Sequence, residues 1–186
     1  TSIDVPEGAT IIPSYAFNGC SNLEIIDFTS TEGTKLSIGE AAFQDCSNLM
    51  FGEEGNGELI ISERFVSIGN YAFANCAKIK KVVIPNAVTS IGLGAFNSCT
   101  AITELSIPFV GKTETSANHE AVLGYIFGYE LVSKDGEGHS SGWDEYAINK
   151  KPTNIPGETW QFTWLKRGIA DYYYYFIPET LKKVTV

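Results

Sequence analysis

The chain is poor in the residues that most site chemistry needs. It has 2 histidines, His119 and His139. Both sit among polar, loop-like neighbours. Neither has the short spacing to a second His or Cys that a metal site uses, so both read as free surface imidazoles. No phosphate loop of the form G-x-x-x-x-G-K-[ST] and no D-x-[DN]-x-[DN]-G calcium loop occurs. Gly138-His139-Ser140-Ser141-Gly142 has G-x-S-x-G spacing but falls in a Gly/Ser/Asp-rich, loop-like stretch, not at the strand-to-helix turn that a nucleophile elbow needs. The carboxylate pair Glu53-Glu54 lies in a Gly-rich loop, where general acid–base work would lack a low-dielectric pocket. No catalytic residue, metal ligand or cofactor-binding residue is expected, and the chain is not read as an enzyme.

Basic residues are also scarce. Lys and Arg number 13 against 22 Asp and Glu, a net charge of -9. Sequence-independent nucleic-acid binding needs a basic face, so no nucleic-acid partner is expected. The same acidity disfavours docking on anionic membranes. No run of about 18 apolar residues occurs, so no membrane-spanning helix and no direct membrane insertion is expected. Residues Thr1 to Pro6 carry neither a basic start nor an apolar run, unlike a signal peptide. A mature chain or an excised fragment would look the same.

Against these absences stands a core-forming composition, 44% hydrophobic and 19% charged. All 4 cysteines fall three residues after an Ala-Phe pair: Ala16-Phe17…Cys20, Ala42-Phe43…Cys46, Ala72-Phe73…Cys76 and Ala95-Phe96…Cys99. This is an internal repeat. The cysteine spacings are 26, 30 and 23 residues. The longer two contain the turn-rich stretches 30–34 and 52–57, so the differences fall in loops.

The order within each repeat is constant. A short β-like piece comes first, as in Ile79-Lys80-Lys81-Val82-Val83-Ile84-Pro85 and Ile102-Thr103-Glu104-Leu105-Ser106-Ile107-Pro108. Its period of two fits a strand with one covered face, and proline ends it because it has no N–H for the ladder. A second piece follows, as in Val88-Thr89-Ser90-Ile91-Gly92, and then the Ala-Phe-x-x-Cys turn. Stacked turns superpose equivalent residues. The phenylalanines then form a ladder through the core, the alanines leave room for the rings, and the small, apolar cysteines line a tight buried turn as free thiols. Neither the varied surroundings of a disulfide framework nor the close pairs of a zinc site are present.

The unit L-x-x-[VI]-x-[IL]-P…[VT]-x-x-I-G-x-x-A-F-x-x-C resembles the BspA-type leucine-rich repeat of bacterial surface proteins. The likeness covers residues 1 to about 110, with four full copies. Pro13 departs from it where Gly39, Gly69 and Gly92 stand in the other copies, and Lys35 replaces the apolar residue seen as Val88. The resemblance implies a right-handed leucine-rich-repeat solenoid, mainly β, with a parallel sheet on the concave side, few or no long helices and about five turns. It also implies an extracellular location, on a bacterial cell surface or secreted.

Residues 1–186 are expected to form a single solenoid fragment, with 109–177 a large insertion or elongated degenerate repeat. Leu123-Gly124-Tyr125-Ile126-Phe127 is a worn copy of Ile-Gly-x-x-Ala-Phe, one residue short and without the cysteine. Leu181, Val184 and Val186 match Ile102, Leu105 and Ile107, so the chain re-enters the repeat. Both ends fall inside the repeat pattern, and adjoining repeats or domains are expected in the full-length chain.

Solenoids work mostly by binding. The outward strand positions are Glu24, Ile25, Asp27, Ile60, Lys80, Lys81, Val83, Thr103, Glu104, Ser106, Lys182, Lys183 and Thr185, a face of mixed charge suited to a protein or glycan. Within the insertion, Trp143, Trp160, Trp164, Tyr172 and Tyr174 are a candidate stacking surface. The plainer reading is that these aromatics pack the insertion against the solenoid. Expected ligand contacts are therefore Trp143, Trp160, Trp164, Tyr172, Tyr174, Lys80, Lys81 and Glu104. By resemblance, the partners would be host matrix proteins, host cells or other bacteria. The rival reading is a structural spacer with no ligand of its own.

Overall fold

The computed structural model describes residues 2–3, 5–26, 28, 32–51, 55–117, 120, 123–133, 158–159, 171–175 and 177–186. In chain order the strands are β1 (Ser2–Ile3), β2 (Ile11–Ile12), β3 (Ile25–Ile26), β4 (Leu36–Ile38), β5 (Met50–Phe51), β6 (Glu58–Ile60), β7 (Phe65–Ile68), β8 (Lys81–Val83), β9 (Ser90–Ile91), β10 (Glu104–Ser106), β11 (Tyr129–Ser133), β12 (Glu158–Thr159), β13 (Asp171–Tyr175), β14 (Ile177–Pro178) and β15 (Lys183–Thr185). Among the described residues there is no α-helix, and Leu123–Phe127 form a short 3-10 helix. The fold is a parallel-sheet leucine-rich-repeat solenoid of about four turns rather than five.

One side of the coil is the continuous parallel sheet β2-β4-β7-β9. The front sheet is broken in two, β1-β3-β5 and β6-β8-β10-β15. The break falls between Phe51 and Glu58. In that turn Met50–Phe51 pairs back to Ile25–Ile26, and Glu58–Ile60 pairs forward to Lys81–Val83. One turn thus spends two strands where its neighbours spend one. Phe28 spans the break. Its ring packs edge-on against Phe43, Phe65 and Phe73 and tilted against Phe51, while its carbonyl accepts the Ser62 N–H.

The phenylalanine ladder forms as read. Phe17, Phe43, Phe73 and Phe96 stack face to face, with ring centroids 5.2, 5.5 and 5.6 Å apart. Phe43, Phe73 and Phe96 are fully buried, with Ala42, Ala72 and Ala95 beside them. Burial of each ring contributes about 1.5–3 kcal/mol. The thiols carry a second job. Cys46 Sγ donates to the Phe17 carbonyl at 3.0 Å, Cys76 to Phe43 at 3.2 Å and Cys99 to Phe73 at 3.0 Å. Each cysteine reaches back one turn to a corner carbonyl. Cys20 corrects the expectation of four buried cysteines: it is exposed, because the described residues supply no earlier turn to enclose it.

Between turns the corner is stitched by alternate N–H groups. Tyr71, Phe73 and Asn75 donate to the carbonyls of Leu93, Ala95 and Asn97 at 2.8–2.9 Å. Tyr15, Phe17 and Gly19 do the same to Glu40, Ala42 and Gln44. Two positions per corner are left-handed: Tyr15, Ala41, Tyr71 and Gly94 at one, Gly19, Asp45, Asn75 and Ser98 at the other. Left-handed non-glycine residues cost about 1–2 kcal/mol each, and the stacked hydrogen bonds hold them there.

The repeated glycine before the corner has a steric cause. A Cβ on Gly69 would lie 2.6 Å from the Gly39 carbonyl carbon and the Glu40 nitrogen, and one on Gly39 would lie 2.5 Å from the Ser14 nitrogen. Pro13 occupies the equivalent place in the first described turn, where no described backbone lies beneath it. Arg64, only 4% exposed, closes the same end. Its Nε donates to the Thr34 carbonyl at 2.7 Å, and Nη2 to those of Pro6, Glu7 and Ala9 at 2.6–3.2 Å.

The worn copy continues the stack. Gly94 donates to Tyr125 and Phe96 to Ile126, where strict register would bring Phe127 opposite Phe96. The missing residue is absorbed by a side chain: Asn97 Nδ2 donates to the Phe127 carbonyl at 2.9 Å. Farther on, β11 pairs antiparallel with β13 and β12 with β14. The chain then returns as β15, which pairs with β10 as Glu104–Lys183, Leu105–Val184 and Ser106–Thr185.

Two expectations follow. Gly69→Ala should cost roughly 1–3 kcal/mol through overpacking, whereas Pro13→Ala should stay within about 1 kcal/mol; urea denaturation midpoints compare them. Burial pushes the Cys46 thiol up to about 11 and the Cys99 thiol up to about 12, from an ordinary 9.0. The folded state therefore holds these protons more tightly than the unfolded one. Their stabilisation is complete below about pH 9 and drains away as pH rises towards 11–12. Denaturation midpoints should fall across that window, and more shallowly in Cys99→Ser, which does not titrate there.

Candidate functional site

The sequence placed candidate ligand contacts on the front strands and in the insertion. Trp143, Trp160 and Trp164 lie outside the described residues, as does His139. Tyr172 and Tyr174 fall on strand β13, opposite Val132 and Glu130 of β11 in backbone register. The site built here is therefore the front face of β6-β8-β10-β15.

Its chemistry follows from parallel register. One column runs Glu58, Lys81, Glu104, Lys183 across the four strands, and a second runs Ile60, Val83, Ser106, Thr185. Between them lies the inward column Leu59, Val82, Leu105, Val184, whose first three members are buried. The outward charges alternate in sign at strand spacing. Like charges directly opposite would repel and opposite ones attract. Lys81 Nζ sits 3.4 Å from Glu58 Oε1, both side chains about one third exposed. Such a pair contributes at most about 1 kcal/mol, but the column is neutral as a whole.

The structure thus brings Lys81 and Glu104 together as cross-strand neighbours. Lys80 is set apart: it is exposed, precedes β8, and its carbonyl accepts both N–H and Oγ1 of Thr103. Sequence reasoning missed Glu58 and the pairing of Lys183 with Glu104, because the column appears only once the register across the break between Phe51 and Glu58 is known. A shallow groove of about 160 Å³ runs along the face, lined by Lys81, Val83, Glu104, Ser106, Lys183 and Thr185. Ile60, 38% exposed, borders it on the outermost strand, and Ile25 stands exposed on the other half of the front sheet.

A larger hollow of about 340 Å³ lies beyond the strand ends, lined by Asn86, Val88, Thr89, Pro108, Phe109 and Glu114. Next to it Lys112 closes a small loop, bonding Glu120 Oε1 at 2.8 Å through Nζ and the Glu120 carbonyl through its N–H. The side-chain bond to Glu120 raises the Lys112 pKa. Among the described residues no group of three or more His, Cys, Asp or Glu side chains is placed to hold a metal ion, and no helix is long and apolar enough to cross a membrane.

Residues 1–119 match the model of the BspA type leucine rich repeat region, in 6 copies. The chain belongs to the BspA-type leucine-rich repeat family. The six copies exceed the four marked by cysteine, so the repeat extends through units that lack the Ala-Phe-x-x-Cys signature. No curated protein matches. Among solved structures, the T. pallidum leucine rich repeat protein is similar at 23% identity and a TM-score of 0.48, with 57% of this chain and 48% of that chain covered. The chain thus spans about half the length of that protein. Leucine-rich repeats of this kind are typically non-catalytic.

If the alternating column matters to the fold, reversing one member should register. Lys81→Glu would put Glu58, residue 81 and Glu104 in a row of like charge. We expect a loss of about 0.5–1 kcal/mol, shrinking by half or more in 1 M NaCl as screening shortens the range. Thermal melts at low and high salt check it.

Proposed function

We propose that this chain is a non-enzymatic binding module of a bacterial cell-surface protein, working outside the cell, and that the front face of β6-β8-β10-β15 takes a protein partner. The observation that carries the reading is the pairing of an alternating charge column with the neighbouring column Val83, Ser106, Thr185 along one groove, continued by Glu58 and Ile60 on the adjoining strand. Desolvated apolar centres ringed by polar groups are where protein interfaces concentrate their energy. A face without net charge suits a protein surface better than a polyanion. Family membership supports host matrix proteins, host cells or neighbouring bacteria as the source of the partner, with glycans as a further class. The insertion aromatics, Trp160 and Trp164 foremost, are a second proposed contact region.

The structural-spacer reading has its own support. Lys81 already has Glu58 as an internal partner, and the alternating column is neutral without a ligand. Binding of the 186-residue chain to a panel of matrix proteins by surface plasmon resonance separates the two. The module reading expects saturable binding that Ile60→Asp weakens at least tenfold, about 1.4 kcal/mol, without shifting the melt. A Trp160→Ala/Trp164→Ala variant tests the insertion in the same assay. Failure of every matrix protein to bind would leave the spacer reading in its place.

A further inference from the structure

The β2-β4-β7-β9 side carries a second regular surface, separate from the front face. Register stacks Ile11, Ser37, Ser67 and Ser90 in one column. Their strand neighbours Ile12, Leu36, Ile38, Ile68 and Ile91 are buried, so strand alternation turns the column outward; Val66 is one extra residue on the Ser67 strand, where the register shifts. The three serines are partly exposed, and none of their hydroxyls bonds to a described residue. They form an open row of hydroxyls at strand spacing, about 4.8 Å apart.

Four residues farther along the chain comes the left-handed corner column Tyr15, Ala41, Tyr71, Gly94. Tyr15 is 56% exposed and Tyr71 36%. Both lean onto the next turn. A Cβ on Gly94 would meet Cε1 and Cδ1 of Tyr71 at 2.6 and 2.8 Å, so the Tyr71 ring lies against the bare Gly94 backbone. Tyr15 donates its hydroxyl to Glu40 Oε1 at 2.8 Å. Ala41, between them, contributes only a methyl group. Two turns at strand spacing put the two rings roughly 10 Å apart. Between the rings and the serines, Asn70 uses its Oδ1 on the Leu93 N–H and keeps its amide donors. No Lys or Arg stands in these columns.

The geometry points to a binding strip for a neutral, extended β-1,4-linked pyranose chain, laid along the stacking axis. The C–H face of a pyranose is apolar, with partly positive hydrogens, and pairs with the negative face of an aromatic ring. Rings two turns apart match alternate sugars of an extended chain, whose repeat is a disaccharide. The sugar hydroxyls need partners that both donate and accept, which serine hydroxyls are. An anionic glycan would want cations that the strip lacks. This strip is independent of the front-face reading and stands or falls separately.

Isothermal titration of the 186-residue chain with cellohexaose and chitohexaose tests it, with the curved, α-linked maltohexaose as control. We expect saturable binding to at least one β-linked hexaose and none to maltohexaose. Tyr15→Ala/Tyr71→Ala should weaken it at least tenfold, with circular dichroism and melting unchanged. Ser37→Ala/Ser67→Ala/Ser90→Ala should also weaken it severalfold, giving a second reading if the tyrosine variant folds poorly. Ile60→Asp on the front face should leave it intact. Absence of saturable binding to both β-linked hexaoses, equal binding of maltohexaose, or wild-type affinity in both variants would overturn the proposal.

Discussion

Everything in this structure depends on how closely one turn can lie on the next at the Ala-Phe-x-x-Cys corner. There the chain bends while its alternate N–H groups still reach the carbonyls of the following turn at 2.8–2.9 Å, as from Tyr71, Phe73 and Asn75. That contact leaves no room for side chains pointing along the stack. Gly39, Gly69 and Gly92 precede it because a Cβ would strike backbone. Alanine flanks each ring because a larger residue would part the turns. Cysteine closes it because a thiol is small enough to be buried and can still give a weak second hydrogen bond to a corner carbonyl that already accepts a backbone N–H. The left-handed pair in every corner is the cost of the bend, and the hydrogen-bonded stack offsets it.

Residues whose role is identical in every turn could be read from the sequence. The phenylalanine ladder, the strand before each proline and the match of Leu181–Val186 to Ile102–Ile107 all repeat the same chemistry at the same place, so periodicity alone exposes them. Features that depend on register between turns could not. Glu58, Lys81, Glu104 and Lys183 are scattered in the chain and meet only because the front sheet breaks between Phe51 and Glu58 and the pairing is reset there. Tyr15, Ala41 and Tyr71 give no hint of positive φ, because their backbone is dictated by the turn above rather than by their own preferences. Arg64 was silent for a related reason: its partners are carbonyls, which leave no mark in a sequence. The exposure of Cys20 shows that a repeat residue keeps its environment only where a neighbouring turn supplies it.

The worn copy at Leu123–Phe127 shows how much decay the stack tolerates. The signature has lost a residue and its cysteine, yet the hydrogen bonds carry on, Gly94 to Tyr125 and Phe96 to Ile126. Asn97 fills the shortfall with its side-chain amide. Backbone stacking is therefore the conserved quantity, and the side-chain signature is one way of permitting it. The stack therefore runs on past Pro108 through Lys112 and Tyr125–Phe127, and β15 pairs with the free edge of β10 in unbroken register.

The same regularity sorts the surface chemistry. A solenoid superposes equivalent residues at strand spacing, so any group repeated in every turn meets its own copy. Charges of one sign would then repel up the whole column, and the front face answers by alternating them. Hydroxyls and aromatic rings carry no such penalty. They can repeat turn after turn, as Ser37, Ser67 and Ser90 do, or every second turn, as Tyr15 and Tyr71 do. A repeated neutral surface is periodic, and the ligands that match a periodic surface are themselves periodic. A charge-alternating face is aperiodic in detail, because each pair differs in its surroundings, and it suits a partner with one particular shape. The two faces of this coil thus differ in surface chemistry for a single reason, the cost of stacking like on like.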